Sequence, residues 1–113
     1  MNITVDKGGT ALTLALSGRL DGTTAQAVEE AFLRELEGGA TRFVFDLEQL
    51  DYVSSAGLRV MLLAAKKTRA IGGKLALCGL NDNVKDVFEI SGFHKIFALF
   101  ATRSEADSFV AAP

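Results

Sequence analysis

A chain of 113 residues matches one ordinary cooperative core, and its 49% hydrophobic and 23% charged residues exclude a disordered or disulfide-stapled peptide. Twelve basic against fourteen acidic side chains leave a net charge of −2, too little positive field for direct nucleic-acid binding. No apolar run is long enough for a membrane helix, and Met1 to Lys7 lacks the basic and apolar pattern of a leader, so the expected location is cytoplasmic.

The alternation at Ile3 and Val5, then at Leu12, Leu14 and Leu16, predicts two half-buried strands joined by hairpin chemistry at Gly8-Gly9. After Gly18-Arg19-Leu20-Asp21-Gly22, the Thr23-x-x-Gln26 pattern predicts a capping box. The helix it starts carries Ala25, Val28, Phe32 and Leu36 on one face and ends at Gly38-Gly39. Arg42 to Leu47 is a nearly continuous apolar run, as expected of a strand covered on both faces. A second helix is expected from about Ala56 to Ala70, with Leu58, Met61, Leu62 and Ala65 inward and Arg59, Lys66, Lys67 and Arg69 outward, ended by Gly72-Gly73.

Lys74 to Cys78 reads as a strand, and Cys78 within it as a buried thiol. Val84, Val87 and Phe88 after Asn81-Asp82 mark a third helix that stops at Ser91-Gly92. Ile96 to Phe100 is the last strand candidate. The Ser104-x-x-Asp107 signature then predicts a short helix covering Phe109 and Val110. Strands alternating with helices give an α/β fold: a mixed, mostly parallel sheet of four to five strands with an N-terminal antiparallel hairpin, flanked by about four helices. Right-handed crossovers place the intervening helices on one face if successive strands step the same way.

Sites in open α/β sheets lie where strands end and helices begin. Two junctions qualify, Gly18 to Thr24 and Asp51 to Arg59. In the second, Ser54 and Ser55 immediately precede a helix. A serine there can simply cap the first turn, and the same helix terminus also favours an anion such as a phosphate.

Enzymatic readings find no support. Ser54-Ser55-Ala56-Gly57 lacks the Gly-x-Ser-x-Gly elbow, and the single histidine, His94, has no partner pattern for a hydrolase or a metal site. Gly72-Gly73-Lys74 lacks phosphate-loop spacing and ends a helix rather than opening one. No cofactor or metal is expected, and the protein is read as a non-enzyme. With the apolar positions used by one core and the charged helix faces solvated, a monomer, or at most a weak dimer, is expected.

Four segments carry a family resemblance. Gly18-Arg19-Leu20-Asp21 with Thr24-Ala25 resembles the Gly-Glu-Leu-Asp and Thr-Ala segment of bacterial anti-sigma factor antagonists. Asp46-Leu47-x-x-Leu50-x-x-Val53-Ser54-Ser55-Ala56-Gly57-Leu58 is similar to their strand and switch loop, which usually ends Asp-Ser-(Ser/Thr/Ala)-Gly-Leu-Gly. Ile71-Gly72-Gly73-Lys74-x-x-Leu77-Cys78 and the run from Val84 to Phe97 resemble the later strand and helix, so residues 1–113 read as one STAS domain.

The resemblance implies an antagonist whose unphosphorylated form binds an anti-sigma factor that is also a serine kinase, releasing a sigma factor. Phosphorylation ends binding and a serine phosphatase restores it. Aligning on Gly57 and Leu58 puts the phosphoserine at Ser55, with Ser54 replacing the family's acid, Ala56 at the small position and Arg59 replacing its glycine. The implied partner-binding set is Asp21, Thr24, Ser54, Ser55, Ala56, Gly57, Leu58 and Arg59. STAS domains also serve as accessory subunits of lipid-transport ATPases and in stress-sensing assemblies, without regulated phosphorylation. That is the alternative.

Overall fold

A computed structural model describes residues 1–113. Five strands, β1 (Asn2–Asp6), β2 (Leu12–Leu20), β3 (Arg42–Val53), β4 (Lys74–Cys78) and β5 (Ala98–Phe100), lie in the order β1-β2-β3-β4-β5. The first pair is antiparallel and the others are parallel, so the expected mixed α/β sheet is present. Four helices accompany it: α1 (Ala25–Glu37), α2 (Ser55–Ala70), α3 (Asp82–Ile90) and α4 (Arg103–Ala111).

Every strand steps the same way, so the crossover helices α1, α2 and α3 share one face. There Phe32, Val28, Met61, Ala64, Val84 and Phe88 pack on Leu14, Leu16, Phe43, Phe45 and Leu77. Phe32 meets Phe43 and Phe45 at ring-centroid distances of 4.8 and 6.1 Å. Each such fully buried side chain contributes roughly 1.5–3 kcal/mol. Because Cβ atoms alternate along a strand, Val44, between Phe43 and Phe45, points to the other face. It joins Ala11, Ala76 and Cys78 there, under Ala106 and Val110 of α4.

Several boundaries differ from the sequence expectations. β3 runs on to Val53 instead of ending at Leu47, because it keeps pairing with β2 as far as Leu20, accommodating two extra residues on the way. Ala15 pairs with Asp46 but Ser17 with Gln49, and Gly18 pairs with Leu50 but Arg19 with Tyr52. Such bulges turn the strand. Here the buried positions Leu47, Leu50 and Val53 fall three apart. Thr24, not Thr23, is the N-cap of α1 and makes no side-chain cap bond, so the expected capping box is missing.

In α2 the buried stripe is Leu58, Val60, Met61, Ala64 and Thr68, with Leu62 and Ala65 only half-buried at its edge. Phe93–Lys95 forms a single 3₁₀ turn that delays β5 to Ala98. A capping box opens α4 two residues before the expected signature, between Thr102 and Glu105. Val110 is buried as expected, whereas Phe109 is exposed, with its ring 5.3 Å from that of Phe100.

Candidate functional site

The two candidate junctions leave the C-terminal ends of adjacent parallel strands and therefore meet. Their link is a backbone hydrogen bond: the Ser54 N–H donates to the Leu20 carbonyl at 2.9 Å. Gly57 fixes how closely they meet. A Cβ there would lie 2.7 Å from Leu20 Cγ, 2.8 Å from Val53 Cγ2 and 2.9 Å from the Leu20 carbonyl oxygen, so only glycine lets α2 sit this low on the sheet.

Around Asp21 the loop is hydrogen-bonded to itself. The Thr23 hydroxyl and N–H donate to Asp21 Oδ1 at 2.6 and 2.9 Å, an Asx turn. The Thr24 hydroxyl donates to the Arg19 carbonyl at 2.7 Å and accepts from the Asp21 N–H at 3.0 Å, which is why it is unavailable to cap α1. The Thr23 hydroxyl, then its N–H and the nearby Arg19 guanidinium hold the Asp21 carboxyl below the usual aspartate range.

At the second junction Ser54 is the N-cap of α2. Its Oγ accepts from the Gly57 N–H at a long 3.4 Å, and its carbonyl accepts from the Leu58 N–H at 2.9 Å. Ser55, the first helical residue, is exposed and its side chain makes no hydrogen bond to protein. The first turn of α2 contains no acidic side chain, while Lys67 and Arg69 lie in the last, so its N-terminal partial positive charge is not neutralised locally.

The structure thus brings the expected residues together, in two roles. Ser55 and Arg59 are exposed, and Asp21, Thr24, Ser54 and Ala56 are half-buried, while Gly57 and Leu58 are buried and position the junction from below. Sequence reasoning missed Tyr52. It is 40% exposed, lies opposite Arg19 across the bulged strands and carries the Arg19 guanidinium 4.2 Å above its ring centroid. Leu20 was missed as well, though its carbonyl and side chain both contact the second junction. Cys78 lies apart, buried under α4, and burial pushes its thiol up to about 12.

The STAS domain model matches residues 2–106. The chain belongs to the STAS domain family. BtrV of Bordetella bronchiseptica, provisionally named an anti-sigma factor antagonist, is 43% identical over 106 residues, which are 94% of this chain and 91% of BtrV. An anti-sigma F factor antagonist of Paenibacillus polymyxa is 32% identical over 93 residues, 79% of this chain and 77% of the relative.

Among solved STAS structures, the anti-sigma factor antagonist SpoIIAA in its unphosphorylated form superposes with a TM-score of 0.83 at 21% identity, covering 97% of this chain and 96% of its own. The phosphorylated form, from Bacillus, gives 0.76 at 21% identity over 96% and 99%. This STAS chain therefore shares its whole fold with a protein known with and without phosphate. No helix in it is long and apolar enough to cross a membrane.

Proposed function

We propose that this chain is an anti-sigma factor antagonist that changes partners through Ser55. The unphosphorylated form binds an anti-sigma factor serine kinase and so frees a sigma factor. Phosphate on Ser55 ends that complex, and a serine phosphatase restores it. The chain acts as a monomer and catalyses nothing itself. Its effect on transcription is indirect.

The observation that carries this reading is the contrast between two adjacent serines. The Ser54 oxygen faces back into the helix as a cap, whereas the Ser55 hydroxyl is exposed and free of protein partners. A phosphate there adds about −1.5 to −2 charges at a helix terminus that favours anions, so the folded protein tolerates it. A closely fitting partner does not. An uncompensated charge buried in an interface costs about 3–5 kcal/mol, or roughly two to four orders of magnitude in affinity.

The test is incubation with a candidate anti-sigma factor kinase from the same organism and ATP, followed by mass-spectrometric mapping and a binding titration. One phosphate on Ser55, none on Ser55→Ala, retained binding by unmodified Ser55→Ala and a loss of roughly a hundredfold on phosphorylation are expected. Equal binding by the modified and unmodified forms would end the switch reading. A tight dimer in sedimentation would end the monomer.

A further inference from the structure

An open groove of about 850 Å³ runs between α1 and α2 and starts at Gly22 and Ala56, directly beside the Ser55 junction. Its floor is apolar and shallow, built by Ala25 and Val60, both buried, and by Leu63, half-buried. Its rim is charged on one side. Arg59, Lys66 and Lys67 of α2 line it against the single acid Glu29 of α1.

These cations are exposed and none of them belongs to an ion pair of the structure; all four ion pairs lie elsewhere, on Lys7, Arg19 and Arg103. Residues 59, 63, 66 and 67 recur at the helical spacing that puts them on one face, so the charges and the apolar Leu63 are presented together. In a chain with net charge −2, this is a local reversal of sign.

We infer that this groove is a second docking surface, continuous with the Ser55 junction, for an acidic amphipathic segment of a protein partner. Apolar side chains of that segment fill the floor between the helices. Its carboxylates meet Arg59, Lys66 and Lys67. Charges on such a rim steer the encounter and reject basic competitors more than they hold the final complex, so binding should weaken as salt rises. That the segment belongs to the anti-sigma factor kinase rests on the proposed function; the acidic, amphipathic character of the occupant rests on the groove alone.

The test titrates that kinase against the unmodified chain and against Lys66→Glu/Lys67→Glu, with Ser55 phosphorylation followed in parallel. Both lysines are exposed, so the variant should melt as the parent does. About tenfold weaker binding, with a shallower dependence on salt, is expected. Equal affinities would overturn the groove and leave the Ser55 switch standing.

If the parent chain is neither bound nor phosphorylated, the switch reading fails and a second measurement decides the groove. In it the chain is titrated, under NMR observation, with a short synthetic amphipathic peptide carrying Glu on one face and Leu on the other. Amide shifts centred on Ala25, Ala56 and Leu63, absent with the Lys-for-Glu peptide, support the inference. Shifts elsewhere, or an equal response to both peptides, overturn it. So does cosedimentation with phosphatidylglycerol vesicles that depends on Lys66 and Lys67, which would make the occupant a lipid surface.

Discussion

The loop after β2 and the junction before α2 touch each other, yet they are held in opposite ways. In the first, the polar side chains are all engaged: Thr23 on Asp21, Thr24 between Arg19 and Asp21, and Arg19 over Tyr52. In the second, the backbone is pinned by Leu20 and by the close seat of Gly57, while the side chains are loose, with Ser54 capping at 3.4 Å and Ser55 unpaired. A modification that is to change binding without unfolding the protein needs such a division. The scaffold is fixed through main chain and packing, and the Ser55 hydroxyl, the proposed phosphoacceptor, holds nothing in place.

Gly57→Ala attacks the pinned part of that division and should have the largest effect on stability. Alanine improves helix propensity by up to about 1 kcal/mol, but its Cβ would fall within 2.9 Å of three atoms, one of them backbone. Overpacking of this kind typically costs about 1–3 kcal/mol, so a net loss of about 1–2 kcal/mol is expected in urea unfolding. A variant as stable as the parent would show that α2 can lift from the sheet, and the contrast between a fixed backbone and a free hydroxyl would lose its basis.

Asp21→Asn probes the engaged loop by pH. The Asp21 carboxyl ionises below its ordinary value of 3.8 in the folded state, chiefly through Thr23. A depressed carboxyl stabilises the fold above its unfolded pKa, and that contribution disappears as pH falls through the folded value. The parent should therefore melt above Asp21→Asn at neutral pH, with the gap closing below about pH 4. Asp6, whose carboxyl Arg103 likewise holds low, titrates in both proteins and cancels in the difference. A gap that persists into acid would mean that Asp21 acts through shape rather than charge.

The parts legible in the sequence were those governed by local pattern. The period-2 run Leu12, Leu14, Leu16, the helical face Val28 and Phe32, and the glycine-marked helix ends all reappear in the structure. What escaped depends on pairing between strands. β3 continues past Leu47 along β2 through two bulges, and its buried positions Leu47, Leu50 and Val53 fall three apart, which breaks the period-2 alternation of a strand. The same bulges set Tyr52 opposite Arg19, a register that neither segment contains alone.

Capping was misplaced for a local reason. The Thr23 hydroxyl is taken by Asp21 and the Thr24 hydroxyl by the Arg19 carbonyl five residues back, so the loop's own hydrogen bonds override the signature at Thr23 and Gln26. The Ser54-Ser55 pair was legible as a position, but which of the two hydroxyls is free only became apparent from the hydrogen bonding.

Ser54→Ala is the gentlest way to test that difference between neighbours. Removing an N-cap side chain costs about 0.5–2 kcal/mol, with the cost set by the quality of the bond lost. Asn81 at the head of α3 accepts from the Val84 N–H at 2.8 Å and also donates to the Leu50 carbonyl at 2.9 Å. The Ser54 side chain makes only its one 3.4 Å hydrogen bond. Its removal should therefore sit at the low end, about 0.5 kcal/mol by thermal melting, and well below the loss in Asn81→Ala measured alongside. Kinase treatment should still place phosphate on Ser55. A loss as large as that of Asn81→Ala would mean that Ser54 holds the helix terminus more firmly than its long bond implies. Phosphate that vanished in Ser54→Ala but persisted in Ser55→Ala would exchange the roles of the two serines, making the cap the switch and leaving Ser55 as the exposed neighbour that merely marks where the partner docks.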